Sequence, residues 1–182
     1  EGDTSCGQGY VCIQACGPPV VREGDAPPPW YCETEANAAK PRMCPICLAA
    51  TTNIATPSGE VNVQKLTVGM HVWSLDARGI KIVSTIVRVA QTLAPKAHRV
   101  VHLVLSDGRE VRVSPNHPTI TGLPVGQLRA GDAYDGARVI SADLEPYGGA
   151  ATYDLLPDSA TGAYWADGVL LGSTLFAPYI TQ

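Results

Sequence analysis

The chain reads as an all-β domain, and three features of the sequence say so. From Thr52 onward, β-branched and aromatic residues alternate with polar ones at a period of two, in short runs separated by turns. No stretch places apolar residues at i, i+3, i+4 and i+7 over three turns, the spacing that an amphipathic helix needs. The 18 glycines and 15 prolines in 182 residues exceed the usual share and imply many turns between short strands.

Taken in order, the elements begin with a segment unlike the rest. Residues 1–46 alternate cysteine with turn formers, as in Cys16-Gly17-Pro18-Pro19 and Pro27-Pro28-Pro29-Trp30-Tyr31-Cys32. Proline fixes φ and removes a donor, so long regular strands are not expected there. Thr34 to Lys40 has the composition for a turn or two of helix before Pro41. Thr52–Thr56 and Glu60–Val63 are strands on either side of the Pro57-Ser58-Gly59 turn. Leu66 to Gly69 makes a corner, and His71–Leu75 resumes the extended pattern. Asp76 to Gly79 turns the chain into the β-branched run Ile80–Gln91. Arg99–Leu105 faces Glu110–Ser114 across Ser106-Asp107-Gly108-Arg109, a hairpin signal. Further strands are expected at 138–144, 151–156, 163–166 and 169–171. Val63-x-x-Leu66-x-x-Gly69 recurs 62 residues later as Val125-x-x-Leu128-x-x-Gly131. With the strand order, this implies two similar half-domains about an approximate two-fold axis.

Charge and cysteine usage narrow the setting. A net charge of −4 with scattered basic residues argues against nucleic acid or an anionic membrane as partner. No apolar run nears the ~20 residues needed to cross a bilayer, and Glu1 opens without a positively charged, apolar leader. The six cysteines (6, 12, 16, 32, 44 and 47) crowd the first quarter. In a proline-rich segment without a core of its own, such density suggests disulfide stapling and an extracellular or cell-envelope location. Zinc is the alternative, since Cys44-Pro45-Ile46-Cys47 has C-x-x-C spacing. The other spacings do not repeat that pair, and His98 and His102 share a helical face only if their segment is helical. The expectation is therefore no metal and no cofactor.

Cys47 stands on the seam between the two regions. A cysteine there can attack the carbonyl on its own N-terminal side, moving the acyl group from nitrogen to sulfur and breaking Ile46–Cys47. A thiol with a pKa near ~8.5 is only partly ionised at neutral pH, and an amide nitrogen leaves poorly. The site must therefore deprotonate the thiol, protonate the departing nitrogen and stabilise an oxyanion. His117, in Val113-Ser114-Pro115-Asn116-His117-Pro118, is the candidate for protonating nitrogen, with its backbone fixed by proline on both sides. Ser114 can hydrogen-bond the scissile amide. Asp154, in Thr152-Tyr153-Asp154-Leu155, is the acidic candidate for activating the thiol. Each has a plainer reading: Cys47 as half of a structural disulfide, His117 and Ser114 as turn residues, Asp154 as a strand end.

Cys47-Leu48-Ala49-Ala50-Thr51-Thr52-Asn53-Ile54, the corner Val63-x-x-Leu66-x-x-Gly69 and Val72-Trp73-Ser74-x-Asp76 resemble the opening block of Hint domains. These are the self-processing modules of inteins, Hedgehog proteins and bacterial intein-like proteins. Val113 to Pro118 is similar to their second block, in which a Thr-x-x-His motif activates the scissile amide. Thr152-Tyr153-Asp154-Leu155 and Ala166-Asp167-Gly168-Val169-Leu170-Leu171 resemble the closing block. The resemblance implies a flat, horseshoe-like all-β fold over residues 47–175. Residues 1–46 are then a Cys/Pro-rich stapled segment or linker, and 176–182 a tail. It further implies cysteine-dependent autoproteolysis at Ile46–Cys47 in a monomer. Its own N-terminal flank is the substrate, and water or a small nucleophile resolves the thioester.

Two departures bear on the outcome. Ser114 stands where the family has threonine, keeping the hydroxyl. Gly172-Ser173 before Thr174 replaces the His-Asn that splicing members use, and Thr161-Gly162 stands where a second histidine is often found. Cleavage without splicing is expected. Cys44 can form a disulfide with Cys47 and so act as a redox gate. The competing function is a catalytically silent secreted β-domain kept for binding or display, with Cys47 locked in a disulfide.

Overall fold

Each half of the molecule is built around one long strand that changes partner midway. The structure, a computed structural model, describes residues 10–14, 30–34 and 47–176. In the cysteine-rich segment, β1 (Tyr10–Gln14) and β2 (Trp30–Thr34) pair antiparallel, and the register sets Cys12 opposite Cys32. The expected helical turn beyond Thr34 lies outside the described residues, as do Cys6, Cys16, Cys44 and Ile46.

From Cys47 the chain forms β3 (Asn53–Thr56), β4 (Gly59–Asn62), β5 (His71–Leu75), β6 (Lys81–Leu93), β7 (Arg99–Leu105) and β8 (Glu110–Val113). After them come β9 (Ala133–Tyr134), β10 (Ala137–Pro146), β11 (Ala151–Pro157), β12 (Ala163–Ala166) and β13 (Val169–Gly172). Neighbours run in the orders β13-β12-β3-β4, β11-β6-β5 and β8-β7-β10-β9, all antiparallel. The expected strands are present within a residue or two; the two-residue β9 was not foreseen. The Asp135-Gly136 and Asp167-Gly168 turns explain two of the hairpins. Both residues of each turn have positive φ (48° and 76°, 48° and 78°), which matches the twist of the flanking strands.

The repeat read from the sequence is a repeat of structure. Val63–Lys65 and Val125–Gln127 each form one 3-10 turn, followed by an extended leucine and a left-handed glycine, Gly69 (φ 93°) or Gly131 (φ 92°). In the first copy Gly69 N donates to Ile86 O at 2.9 Å, and Ile86 N donates to Met70 O at 2.8 Å. In the second, Gly131 N donates to Val139 O at 2.8 Å and Val139 N to Asp132 O at 2.9 Å. Ile86 and Val139 are the points where the long strands change partner. Before Ile86, β6 pairs with β5; from Ile86 on, it pairs with β11. Likewise β10 pairs first with β9 and then with β7. Both crossings carry a register irregularity, and at the first it falls on Pro157, which has no N–H to give the ladder.

The core joins the two halves through Leu48, Ile54, Ile86, Val113, Leu155 and Tyr164, all fully buried. Each such side chain contributes about 1.5–3 kcal/mol over an exposed one. Ser114, His117, Asp154 and Ser173 are buried at 2% exposure or less. Polar groups there need partners, and the partners they find define the site.

Candidate active site

The segment that carries Cys47 is clamped between one strand of each half. Leu48 N donates to Tyr153 O (2.8 Å), Tyr153 N returns to Leu48 O (3.0 Å), and Ala49 N donates to Arg112 O (3.0 Å). Leu48 thus bridges β8 and β11 and drops its side chain into the core. One residue earlier, Ser114 N donates to the Cys47 carbonyl at 2.9 Å. Cys47 is present as a buried thiol, 5% exposed.

The loop after β8 is held just as firmly. His117 N donates to Ser114 O (2.9 Å), Val125 N to His117 O (2.9 Å) and Gly126 N to Pro115 O (2.8 Å). Gly126 is needed for the close approach: a Cβ there would sit 3.0 Å from Pro115 O and 3.1 Å from its Cβ. The Ser114 hydroxyl lies 3.1 Å from Nε2 of His98, which is itself buried with its ring edge-on to Tyr147. Burial pushes the His98 pKa down, so its neutral form is favoured.

His117 does not meet Asp154 directly in this arrangement; Tyr164 stands between them. Its hydroxyl lies 3.2 Å from His117 Nε2 and donates to Asp154 Oδ1 at 2.6 Å. Burial, then the charge of Asp154 and its hydrogen bond, then Cys47, raise the Tyr164 pKa well above the ordinary tyrosine range. The phenol therefore keeps its proton, and Cys47 lies within its electrostatic reach. Asp154 Oδ1 also accepts from Leu155 N (2.7 Å). Its Oδ2 accepts from Thr174 N (2.7 Å), from the Thr174 hydroxyl and, at 3.5 Å, from the Ser173 hydroxyl.

The C-terminal segment packs against these groups. Thr119 bridges Leu171, and Gly172 N donates to Pro118 O at 3.1 Å, so β13 runs along the histidine loop. Ser173 N then donates to Gly162 O at 3.0 Å, turning Thr174 back toward Asp154.

Of the residues expected from the sequence, Ser114 touches Cys47 through its amide, while His117 and Asp154 are joined through Tyr164. Ile46, the acyl side of the expected bond, and Cys44, the expected gate, lie outside the described residues. Sequence reasoning missed His98, Tyr164 and Thr174. His98 was weighed only as a metal ligand. Tyr164 sat inside a strand pattern where an aromatic reads as core, and a tyrosine hydroxyl that must find a buried partner was the available signal. Among the described residues, no group of three or more His, Cys, Asp or Glu gathers to hold a metal. No helix there is long and apolar enough to cross a membrane.

No family model and no curated protein matches the chain. Solved structures do. The chain is similar to a bacterial intein-like domain from Clostridium thermocellum, at 19% identity over 70% of this chain and 98% of that one, with a TM-score of 0.60. It is similar to the MchDnaB-1 intein at 22% identity over 69% and 98%, TM-score 0.56. A DnaB intein from Synechocystis sp. PCC 6803 matches at 14% identity over 71% and 99%, TM-score 0.55. The architecture is thus that of intein and intein-like (Hint) domains, an all-β horseshoe. At these identities the likeness establishes the fold, and the chemistry must rest on this chain's own side chains.

Proposed function

We propose that residues 47–175 form a self-processing domain that cuts its own chain once, between Ile46 and Cys47. The observation that carries this reading is the clamp on Cys47. In a fold shared with inteins, Cys47 is buried and its carbonyl is held by the amide of Ser114 at 2.9 Å, and Ser114 stands three residues before a buried histidine. In the reaction, Cys47 Sγ gives its proton to water and bonds to the Ile46 carbonyl carbon, and the bond from that carbon to Cys47 N breaks. The nitrogen takes its proton from His117. Water or a small nucleophile then attacks the thioester, releasing residues 1–46 and restoring the thiol. Ser114 hydrogen-bonds the scissile amide, and Asp154 supplies negative charge to the proton-transfer side.

Splicing is not part of the proposal. Release of a C-terminal flank requires a side-chain amide that cyclises onto its own carbonyl, and Ser173 has none. Thr174 has a hydroxyl able to receive an acyl group, but the resulting branched chain would have no way to resolve. Residues 1–46, with their clustered cysteines, are the substrate flank of a protein working outside the cytoplasm.

The test is intact-mass spectrometry of freshly purified protein, with and without dithiothreitol. Fragments 1–46 and 47–182 are expected, faster with thiol, from the parent chain and not from Cys47→Ala. A Cys47→Ala chain that cleaves like the parent, or a parent that stays whole in thiol, overturns the proposal.

A further inference from the structure

We propose that Tyr164 is a positioning residue for His117: its hydroxyl keeps a proton on Nε2, so that Nδ1 is the ring nitrogen that takes up and releases the working proton. The inference rests on the self-processing reading for its purpose, but the geometry beneath it stands on its own.

A phenol has one proton to donate. At 2.6 Å from Asp154 Oδ1, that proton lies on the line to a carboxylate oxygen, which can only accept. The hydroxyl oxygen is then left with lone pairs alone to offer His117 Nε2 at 3.2 Å. An unprotonated Nε2 would face it lone pair to lone pair, in a place fully closed to water. Nε2 must therefore carry hydrogen in both the neutral and the charged ring. The only protonation that can change during a reaction is at Nδ1.

The surroundings hold this arrangement in place. Asp154 is fixed by Leu155 N on the same oxygen and by Thr174 N and the Thr174 hydroxyl on the other, so it cannot swing away from the phenol. Tyr164 sits mid-strand in β12, fully buried, with its ring at 69° to the imidazole. When His117 is charged, the chain Nε2–H to phenol to carboxylate links it to a negative group without placing that group against the ring. This favours the imidazolium that must deliver a proton to the departing amide nitrogen. Once delivered, the neutral ring remains with hydrogen on Nε2, ready to be recharged at Nδ1. Among the described residues, Cys47 and, more weakly, Tyr134 are the other titratable groups whose charge acts on the Tyr164 phenol.

The experiment separates this inference from the cleavage it serves. In the Cys47→Ala chain, which keeps residues 1–46 attached, ring 15N shifts of His117 report the tautomer directly. A neutral ring protonated at Nε2 is expected, and one protonated at Nδ1 overturns the inference whether or not the parent cleaves. In Cys47→Ala/Tyr164→Phe the aromatic ring remains, and the expected spectrum is a mixture of tautomers with the His117 midpoint moved to lower pH. In the parent background, Tyr164→Phe should slow fragment release about tenfold to hundredfold near neutrality, as for one lost buried hydrogen bond. The pH–rate profile should move down with the midpoint. A merely structural tyrosine would lower the melting temperature and leave tautomer and pH profile where they were; that result also overturns the inference.

Discussion

Replacing Gly126 by alanine should damage the site from outside it. Gly126 has an ordinary backbone conformation, so the cost is one of space rather than strain. The added Cβ would lie 3.0 Å from Pro115 O, 3.1 Å from Pro115 Cβ and 3.3 Å from Pro115 Cα, all inside ordinary van der Waals contact. Nothing at Pro115 yields easily. Its ring fixes φ, and its carbonyl is bonded to Gly126 N itself at 2.8 Å. The loop must therefore back away by a few tenths of an ångström, stretching that bond and dragging Ser114 and His117 on either side. Overpacking of this kind costs about 1–3 kcal/mol. Misplacing catalytic groups by ~1 Å can cost ~100-fold in rate, so a smaller shift should slow cleavage severalfold to tenfold. The control is Gly148→Ala, where a Cβ meets nothing within 4 Å and φ is not left-handed. That change should be neutral, or stabilising by about 0.4–1 kcal/mol through the unfolded chain. Urea midpoints and fragment-release rates on both variants decide it. Parental stability and rate in Gly126→Ala would show that the Pro115 contact does not hold the loop.

Three other outcomes are expected. Ser114→Ala keeps the amide that holds Cys47 but removes the partner of His98 Nε2 at 3.1 Å; urea unfolding should show a loss of about 1–3 kcal/mol, and cleavage should fall by less than the several orders expected for His117→Ala. His98 has a folded pKa below its unfolded one, so the unfolded chain binds the extra proton: stability should be full above about pH 6.5 and fall as pH drops from there through the folded value, a slope that His98→Gln should flatten in pH-dependent melts. If a Cys44–Cys47 disulfide gates the thiol, Cys44→Ser should cleave faster than the parent under air and equally in reductant; equal rates under air would remove the gate.

Most of the fold could be read from the sequence because its signals are local. The period-two runs and the Gly59, Gly79 and Gly108 turns each state their structure within a few residues, and the 62-residue repeat exposed the two halves. Strand β9 escaped because two residues carry no period; only its Asp135-Gly136 turn announces it. The site was half legible. Cys47, Ser114 and His117 lie in short motifs whose spacing is meaningful, and one hydrogen bond does join the first two across the fold. Tyr164, within β12, and His98, in the turn just ahead of β7, act by contacts 47 and 16 residues away in sequence, where the local pattern does not name the partner. Burial is what the pattern encodes; the identity of the buried partner is not.

The placement of Asp154 changes what the end of the chain is for. Read from the sequence, a carboxylate near the nucleophile suggests a base for the thiol. In the structure its two oxygens accept from Tyr164, Leu155, Ser173 and Thr174, and a carboxylate has only about four lone-pair positions to give. Its route to the reacting atoms then runs through the phenol and His117, and its own orientation depends on Thr174. Gly172 N on Pro118 O and the Thr119–Leu171 bridge tie the same segment to the histidine loop. A chain that released its C-terminal flank at Ser173–Thr174 would dismantle the support of its own proton-transfer residues. In the proposed scheme, attachment at that end and cleavage at the other would both follow from one arrangement, in which the closing strand walls the site.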